Sequence, residues 1–177
     1  MDKSKKRADL LQAAIDIVNE QGTNYLTLDA VAKRAGVSKG GLLYHFESKQ
    51  ALIQGLVDYA NTLYRENVDK SVTESESSGA LLRGYIEATR KHRDENAAVT
   101  SAILAAHSNN KALLSPLQET YQEWQSEIAA DQQDNVDATI IRLAIDGLWL
   151  SEIFGLDAID EKTREAVLDR LIEYTRK

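Results

Sequence analysis

The chain has 177 residues, a length that indicates about one domain. Hydrophobic residues make up 43 % of it, which is enough to form a core. It has no cysteine, so disulfides and thiolate metal sites are excluded. Its net charge of −7 argues against a protein that coats nucleic acid. A single proline and few glycines favour helices throughout.

The charge is unevenly distributed along the chain. Residues 1–50 hold 8 Lys and Arg against 6 Asp and Glu, whereas residues 51–177 hold 13 against 22. A locally basic head on an acidic body is typical of a protein that touches DNA with one end only. By itself, however, an excess of two charges means little.

No apolar run approaches the roughly 20 residues that span a bilayer. The N-terminus, MDKSKKRADLLQAA, is basic but lacks the apolar segment of a signal peptide. We therefore expect a soluble cytoplasmic protein with no membrane partner.

The first predicted helix runs from Lys3 to about Gln21 and stops at Gly22. Its basic start is either a solvated arm or a contact to the DNA backbone. A second helix is predicted from Leu28 to Ala35, with Thr27 as its N-cap and Gly36 at its end. Ser38 caps a third helix, predicted from Lys39 to about His45. Two short helices around a glycine corner are the helix-turn-helix arrangement, whose second helix enters the DNA major groove.

The run GVSKGGLLYHFESKQAL resembles the signature of the TetR family of bacterial transcriptional regulators. The resemblance is continuous from about Ala8 to Leu56, and it includes the helix AAIDIVNEQG. Beyond residue 60 it consists mostly of length, helical character and the segment GLWLSEIFGL.

The resemblance implies roles for individual residues of the head, the three-helix N-terminal part. Those implied to contact phosphates are Thr27, Ser38, Lys39, Tyr44 and Lys49; those placed where the family approaches bases or backbone are Gly40, Gly41 and His45. Hydroxyl and ammonium groups are usual phosphate partners. The alternative is that Tyr44 and His45 only form the end of the third helix, which packs on the fourth, and do not contact DNA.

Leu43 departs from the family pattern, which usually has an aromatic residue before the tyrosine. A leucine cannot hydrogen-bond, although it can pack on a thymine methyl group. With Gly40 and Gly41 beside it, the helix offers few side chains for direct readout of bases. It can instead rely on backbone approach and DNA shape, and the operator cannot be predicted.

The remaining chain is predicted to be helical. Ser48 caps a long helix to about Lys70, and the loop Ser71 to Gly79 follows. Ser115 is expected as N-cap of a helix with Pro116 at its first position, Asp134 or Asn135 as the next cap and Asp160 as the last. The predicted body helices are Ser78–His92, Glu95–His107, Pro116–Ala130, Val136–Phe154 and Glu161–Thr175. The fold class is therefore all-α with about nine helices, divided into a DNA-binding head at 1–48 and a larger helical ligand-binding and dimerisation body at 49–177.

The resemblance implies that the last two long helices form a homodimer interface. The segment IIRLAIDGLWLSEIFGL is apolar nearly all round, so it should be buried on two sides, against its own body and against a partner. The alternative is burial wholly within one chain. The expected interface residues are Ile140, Ala144, Gly147, Leu148, Ser151, Val167, Leu171 and Tyr174.

A ligand pocket is expected in the body, mostly apolar with a few polar groups. The expected lining residues are Tyr59, Tyr85, His107, Tyr121, Trp124 and Trp149. Any one of them can equally be an ordinary core or surface residue.

The sequence lacks a glycine-rich phosphate loop, an HExxH motif and a GxSxG elbow, so we expect no enzyme, no cofactor and no metal. We expect a DNA-binding transcriptional regulator, a repressor that a small-molecule effector releases from a palindromic operator. The alternative is a helical ligand- or protein-binding module whose head no longer binds DNA. The effector, the regulated genes and the choice between repressor and activator are not predictable from the sequence.

Overall fold

A computed structural model describes residues 3–72, 77–91, 96–131, 135–156 and 159–176. Within these residues the chain forms nine α-helices and two short 3-10 helices, Thr23–Tyr25 and Lys111–Leu114. The all-α fold class is confirmed. The helices are α1 Lys3–Gln21, α2 Leu28–Arg34, α3 Lys39–Leu43, α4 Lys49–Ser71, α5 Ala80–Lys91, α6 Asn96–Asn109, α7 Ser115–Asp131, α8 Asn135–Ile153 and α9 Glu161–Tyr174.

None of the helices in the described part of the chain is both long enough and apolar enough to cross a lipid bilayer.

Side-chain caps start four of the helices where the sequence predicts them. The side-chain oxygens of Thr27, Ser38, Ser48 and Asp160 each accept a hydrogen bond from the backbone N–H three residues on, at 3.1, 3.1, 3.1 and 2.7 Å. Each cap satisfies a donor that has no partner inside its helix.

The start of α7 differs from the prediction. Asn110 accepts a hydrogen bond from the Ala112 N–H at 3.0 Å and caps the 3-10 helix Lys111–Leu114, which runs directly into α7. Ser115 is already helical, with φ −50° and ψ −41°, so it is not an N-cap. The predicted cap Asp134 lies outside the described residues.

The chain divides into two compact units. Unit 1 comprises Met1–Leu63 with Glu95–Gln118, and unit 2 comprises Tyr64–Asp94 with Glu119–Lys177. This division differs from a single boundary at residue 48 because α6 packs on α1 and therefore belongs to unit 1. The functional division of the chain into 1–48 and 49–177 stays a prediction.

The core of unit 1 is formed by the inward faces of α1 to α4 and α6. Its largest fully buried side chains are Leu10, Leu11, Leu26, Val31, Leu42, Leu52, Ile53 and Leu56. This core fixes α2 and α3 to the long helices on both sides of them.

The core of unit 2 joins the end of α4 to α5, α7, α8 and α9. It contains Val68, Leu82, Tyr85, Ile86, Ala88, Trp124, Ile128, Ala138, Ile141, Ile145, Leu168 and Leu171. Two aromatic residues expected to line a ligand pocket, Tyr85 and Trp124, are therefore part of this core.

Candidate functional site

Gly36 makes the corner between α2 and α3. Its φ of +67° is in the left-handed region, where a side chain would be strained. The Gly36 N–H donates to the Lys33 carbonyl at 3.3 Å, and the Val37 N–H donates to the Ala32 carbonyl at 3.0 Å. This is a Schellman termination, and it turns the chain sharply enough for α3 to begin two residues later.

The recognition helix α3 is shorter than predicted, because it ends at Leu43 with Tyr44 as its C-cap. The backbone N–H groups of His45 and Phe46 still donate to the Leu42 carbonyl, each at 2.9 Å, so the next turn stays compact. Leu42 and Phe46 point into the core. The exposed residues from this helix and its C-cap are Lys39, Gly40, Gly41, Leu43 and Tyr44.

Tyr44 is the most exposed large hydrophobic side chain of this region, with 70 % of its surface accessible. Its ring contacts the ring of the half-buried His45 edge-on, at 5.2 Å between centroids. The phenol therefore lies on the outer surface with its ring supported by the imidazole.

The hydroxyl groups of Thr27 and Ser38 are exposed at the first turns of α2 and α3. Each oxygen accepts a cap hydrogen bond from a backbone N–H. A hydroxyl oxygen that accepts still has its own proton to donate. Both groups can therefore cap a helix and donate to a phosphate at the same time.

Lys39 does not stand alone on this surface. Its Nζ lies 3.0 Å from Oδ1 and 3.1 Å from Oδ2 of Asp29, in the first turn of α2. Both side chains are more than half exposed, so this ion pair is readily exchanged for another partner. Lys49, at the start of α4, is half-buried.

An open cleft of about 470 Å³ borders the recognition helix. It is lined by Lys6 and Leu10 of α1, Val37, Ser38, Gly41, Tyr44 and His45. Three expected DNA-contacting side chains, Ser38, Tyr44 and His45, thus share one concave surface with a basic residue of α1. Sequence reasoning anticipated a basic start of α1 but not that Lys6 lines this cleft.

The two glycines of α3 differ in their surroundings. A Cβ atom added at Gly40 would meet no atom within 4 Å, whereas one at Gly41 would lie 3.3 Å from Ser38 Oγ. Packing within the described part of the chain therefore gives no reason for a glycine at position 40. A close approach of another molecule to the helix backbone would give such a reason.

Phe46 connects the recognition helix to α4. A Cβ atom at Gly55 would lie 2.6 Å from Cε1 of Phe46, so the ring rests directly on the backbone of α4. The Arg7 guanidinium of α1 lies over the same ring, 5.0 Å from its centroid. The position of the recognition helix is thus set by packing against both α1 and α4.

Four of the six residues expected to line a ligand pocket come together in unit 2. Together with Tyr64, which the sequence analysis did not select, they form what we call the aromatic cluster: Tyr64, Tyr85, Tyr121, Trp124 and Trp149. Tyr59 and His107 belong to unit 1 and are not members of the cluster. Their assignment to the same pocket has no support from the packing within either unit.

A partly buried ion pair adjoins the aromatic cluster. Arg142 Nη1 lies 2.9 Å from Asp146 Oδ2, and both side chains are about 15 % exposed. The Tyr85 hydroxyl donates to Asp146 Oδ1. Burial raises the pKa of the Asp146 carboxyl, while the bond from Tyr85 and the charge of Arg142 act in the opposite direction. Arg142 and Asp146 are four residues apart, the usual spacing of an ion pair on one helix face, but the sequence analysis treated this helix as apolar nearly all round and did not consider the pair.

The residues expected at a dimer interface fall on two different sides of α8 and α9. Leu171 is buried in the core of unit 2, and Leu148 packs against that core, so both are turned towards their own chain. Ile140, Ala144 and Gly147 are exposed, as are Val167 and Tyr174, and Ser151 is half-buried.

A more regular apolar row lies on the outside of α8, and we call it the outer stripe. It consists of Val136, Ile140, Leu143, Gly147 and Leu150 of the helix and Phe154 directly after it. The five large side chains among them are 46 to 62 % exposed. The spacing of four and three residues places them along one seam. A Cβ atom at Gly147 would meet no atom within 4 Å in the described chain.

The fold and this surface define a class of protein, the helix-turn-helix DNA-binding regulators. Residues 10–56 match the family described as "Bacterial regulatory proteins, tetR family". Residues 79–176, more than half of the chain, match the "Tetracyclin repressor-like, C-terminal domain". The chain therefore belongs to the TetR family. The family and the functional class expected from the sequence are confirmed.

Two relatives illustrate the likeness in sequence. The HTH-type transcriptional repressor KstR2 of Mycobacterium tuberculosis (strain ATCC 25618 / H37Rv) is 30 % identical over 93 residues, which are 50 % of this chain and 46 % of KstR2. In that match the chain spans about half the length of its relative. The HTH-type transcriptional regulator BetI of Escherichia coli (strain K12) is 26 % identical over 181 residues, 95 % of this chain and 92 % of BetI.

Solved structures share the fold over nearly the whole chain. A putative TetR-family transcriptional regulator from Rhodococcus sp. has a TM-score of 0.75 at 22 % identity, covering 97 % of both chains. The multidrug binding protein EbrR complexed with malachite green has a TM-score of 0.69 at 27 % identity, covering 93 % of this chain and 96 % of EbrR.

Proposed function

We propose that the protein is a homodimeric, cytoplasmic transcriptional repressor that binds a two-fold symmetric DNA operator and is released from it by a small molecule. The observation that carries this proposal is the outward surface of the helix-turn-helix. It presents the cap hydroxyl of Ser38, Lys6 and the exposed Tyr44 around an open cleft, while Leu42 and Phe46 fill the core behind it. Membership in a family of bacterial regulatory proteins supports it.

DNA binding is assigned to the residues on this surface. Thr27, Ser38, Lys39, Tyr44 and Lys49 contact phosphates, and these contacts set the orientation of α3 in the major groove. Gly40 and Gly41 allow the helix backbone to approach the DNA closely, and Leu43 offers an apolar contact for a thymine methyl group. Much of the sequence preference then comes from the shape of the DNA.

A second copy of the chain is assigned to the outer stripe of α8. Five large apolar side chains on one exposed seam are costly in water unless another surface covers them. The open space at Gly147 allows the two α8 helices to come close at the centre of the seam. Val167 and Tyr174 of α9 extend the same contact. A dimer of this kind places two recognition helices on two half-sites of the operator.

The effector acts through α4. The boundary between the two units falls inside this helix, because Leu63 belongs to unit 1 and Tyr64 to unit 2. Tyr64 is a member of the aromatic cluster, and Gly55 supports Phe46 beneath the recognition helix. A molecule that displaced the Tyr64 ring would bias the position of α4 and, through Gly55, of α3. EbrR has been solved with malachite green, which supports a small-molecule effector.

The alternative module, whose head no longer binds DNA, is less well supported. Its only arguments are Leu43 and the two glycines, and the family match across residues 10–56 weighs against it.

The experiment is selection of binding sequences from a random pool of DNA duplexes, followed by affinity measurements at two salt concentrations. We expect enrichment of a two-fold symmetric site. Lys49→Gln should weaken binding to all sequences alike and reduce the salt slope by about one, since one phosphate contact is lost. Lys162→Gln, at an exposed position of α9, is the matched control and should bind normally. No enrichment from folded, dimeric protein would overturn the proposal in favour of the alternative module.

A further inference from the structure

We infer that the aromatic cluster is the effector site and that its ligand is a flat organic cation, with ring faces stacking on it and Asp146 as its counter-ion. This inference rests on the proposed function, because it names the chemical class of the effector and adds Asp146 and Arg142 to its site.

The geometry of the rings suits a flat ligand. The Tyr64 ring is nearly parallel to Trp149 and to Tyr121, with interplanar angles of 16° and 25° and centroid distances of 6.5 and 6.3 Å. It also lies 5.0 Å from Trp124. It also contacts the Tyr85 ring edge-on, at 5.8 Å between centroids. A flat aromatic molecule that took the place of the Tyr64 ring would inherit all four ring partners. Tyr64 and Tyr121 are half-buried, so they can move more readily than the buried rings.

The charge of the site favours a cation. Asp146 is a carboxylate among aromatic side chains, and such a charge is costly to bury without a positive partner. Ring faces carry negative potential and attract cations. Arg142 already makes both contacts, since its guanidinium pairs with Asp146 and lies 5.8 Å from the centroid of the Tyr121 ring. An organic cation would therefore use the same two partners that Arg142 uses in the free protein.

Arg142 is poorly placed to receive an anion, because two of its five N–H donors already bind neighbouring side chains. Its Nη1 donates to Asp146, and its Nε donates to Gln125 Oε1 at 2.7 Å. Gln125 is held in turn, because its Nε2 donates to Thr139 Oγ1 at 2.8 Å. An anionic ligand would have to compete with Asp146 for the guanidinium and would then lie beside that carboxylate.

A second observation is a buried hydrogen-bond donor in the cluster that lacks an acceptor among the described residues. Trp149 is 91 % buried, and its indole Nε1–H has no acceptor among the described residues. A buried donor without an acceptor is unusual in a native core and costs free energy. A ligand that carries a hydrogen-bond acceptor beside its ring system would satisfy this donor.

The exposed face of α7, the helix that carries Tyr121 and Trp124, is acidic. Glu119, Glu123 and Glu127 line a groove along it, and Glu123 is paired with Arg65 Nη1 at 2.7 Å. Residues 51–177 as a whole hold 22 acidic against 13 basic side chains. This field raises the local concentration of cations and repels anions.

The chain offers a direct readout, because its only two tryptophans, Trp124 and Trp149, are both in the cluster. Quenching of tryptophan fluorescence therefore reports the site itself. The probes are three molecules with the same three-ring frame: proflavine, a cation at neutral pH, acridine, which is neutral, and anthracene carboxylate, an anion. They are titrated into the full-length protein without DNA. We expect proflavine to bind at least about tenfold more tightly than the other two.

Variants then test the counter-ion. Asp146→Asn should weaken proflavine by about tenfold or more and leave acridine unchanged, whereas Arg142→Gln should strengthen proflavine. Asp69→Asn, at an exposed carboxylate of α4 outside the groove of α7, is the matched control and should bind nearly as the wild type does. If Asp146→Asn fails to fold, as judged by circular dichroism, the double variant Arg142→Gln/Asp146→Asn removes both charges together and should bind proflavine and acridine equally.

Equal binding of the three probes, preference for the anion, or proflavine binding that survives removal of Asp146 would overturn the inference. Failure of all three probes to quench the tryptophans would overturn it as well. The proposed function is judged separately by operator selection without any probe. If the protein binds an operator but shows no preference for proflavine, only the inference is contradicted. If it binds proflavine but selects no operator, only the proposed function is contradicted.

Discussion

The ammonium group of Lys39 lies 3.0 Å from a carboxylate oxygen of Asp29, so the first turns of α2 and α3 are joined by an ion pair on the surface assigned to DNA. Asp29 complements the dipole of α2, but it also places a negative charge where phosphates must approach. We predict that Asp29→Asn increases operator affinity by about 1.4- to fivefold, corresponding to the 0.2–1 kcal/mol of an exposed ion pair.

The measurement for this prediction is a titration of operator DNA at two salt concentrations. Lys39→Gln should weaken binding, and the double variant should show that much of the gain in Asp29→Asn depends on Lys39. Unchanged or weaker binding by Asp29→Asn would mean that Lys39 does not reach a phosphate.

Substitution of Gly40 should affect folding stability and DNA binding in opposite directions. Since its added Cβ meets no atom within 4 Å, Gly40→Ala should fit the folded chain and stabilise α3 by up to about 1 kcal/mol. The same methyl group should obstruct a close approach of DNA and reduce operator affinity by about tenfold. Thermal unfolding and operator titration of this one variant test both statements. Full affinity in a stabilised variant would show that DNA stays away from this part of the backbone.

Gly55 allows no such methyl group. Its Cβ would lie 2.6 Å from Phe46, so Gly55→Ala should destabilise the protein by about 1–3 kcal/mol through overpacking. A smaller side chain in Gly55→Ala/Phe46→Leu should recover part of that loss. Urea unfolding gives the free energies, with Gly40→Ala as the matched control for adding a methyl group to a helical glycine. If Phe46→Leu does not reduce the loss of unfolding free energy caused by Gly55→Ala, the strain does not arise from contact with the Phe46 ring.

Local interactions made much of the head predictable. Thr27, Ser38 and Ser48 cap their helices through bonds to the third residue on, and Gly36 adopts its positive φ for a reason confined to one turn. Such features depend on a few neighbouring residues and can therefore be predicted from the sequence. The same reasoning placed a cap at Ser115, and it was wrong because the preceding 3-10 helix made that residue helical.

Packing partners distant in the sequence were less predictable. Both sides of α8 are apolar, so periodicity could not determine that Ile141, Ile145 and Trp149 face the core while Ile140, Leu143 and Leu150 face outwards. The pairing of α6 with α1, which puts residues 95–118 into unit 1, had no local signal. Predictions of the site residues remain to be tested by experiment.

The outer stripe of α8 leads to a prediction about assembly. A charged residue at the centre of an apolar interface cannot be paired or solvated there, so Leu143→Glu and Leu150→Glu should shift the dimer to monomer. Sedimentation velocity over a range of protein concentrations measures this, and operator affinity should fall with the loss of the dimer. Tyr25→Glu, at a residue 60 % exposed in unit 1, is the control and should remain dimeric. Wild-type protein that sediments as a monomer would contradict the assignment.

Two aspartates should give the protein opposite dependences of stability on pH. Burial raises the pKa of Asp146 in the folded state, so the folded protein binds more protons than the unfolded chain between the usual aspartate pKa and the raised value. Stability relative to Asp146→Asn should therefore fall as pH rises through that window. Asp160, the cap of α9, has its pKa lowered by hydrogen bonds from Thr163.

The contribution of Asp160 is present above the unfolded pKa of aspartate and is lost as pH falls through its lowered value in the folded protein. Unfolding free energies of the wild type, Asp146→Asn and Asp160→Ala at a series of acidic to neutral pH values test both signs. As pH rises, the unfolding free energy of the wild type relative to Asp146→Asn should fall. Its unfolding free energy relative to Asp160→Ala should rise. Slopes of the same sign would mean that the hydrogen bond from Tyr85 and the charge of Arg142 outweigh burial and lower the pKa of Asp146. The electrostatic cost that favours a ligand cation beside Asp146 would then be absent.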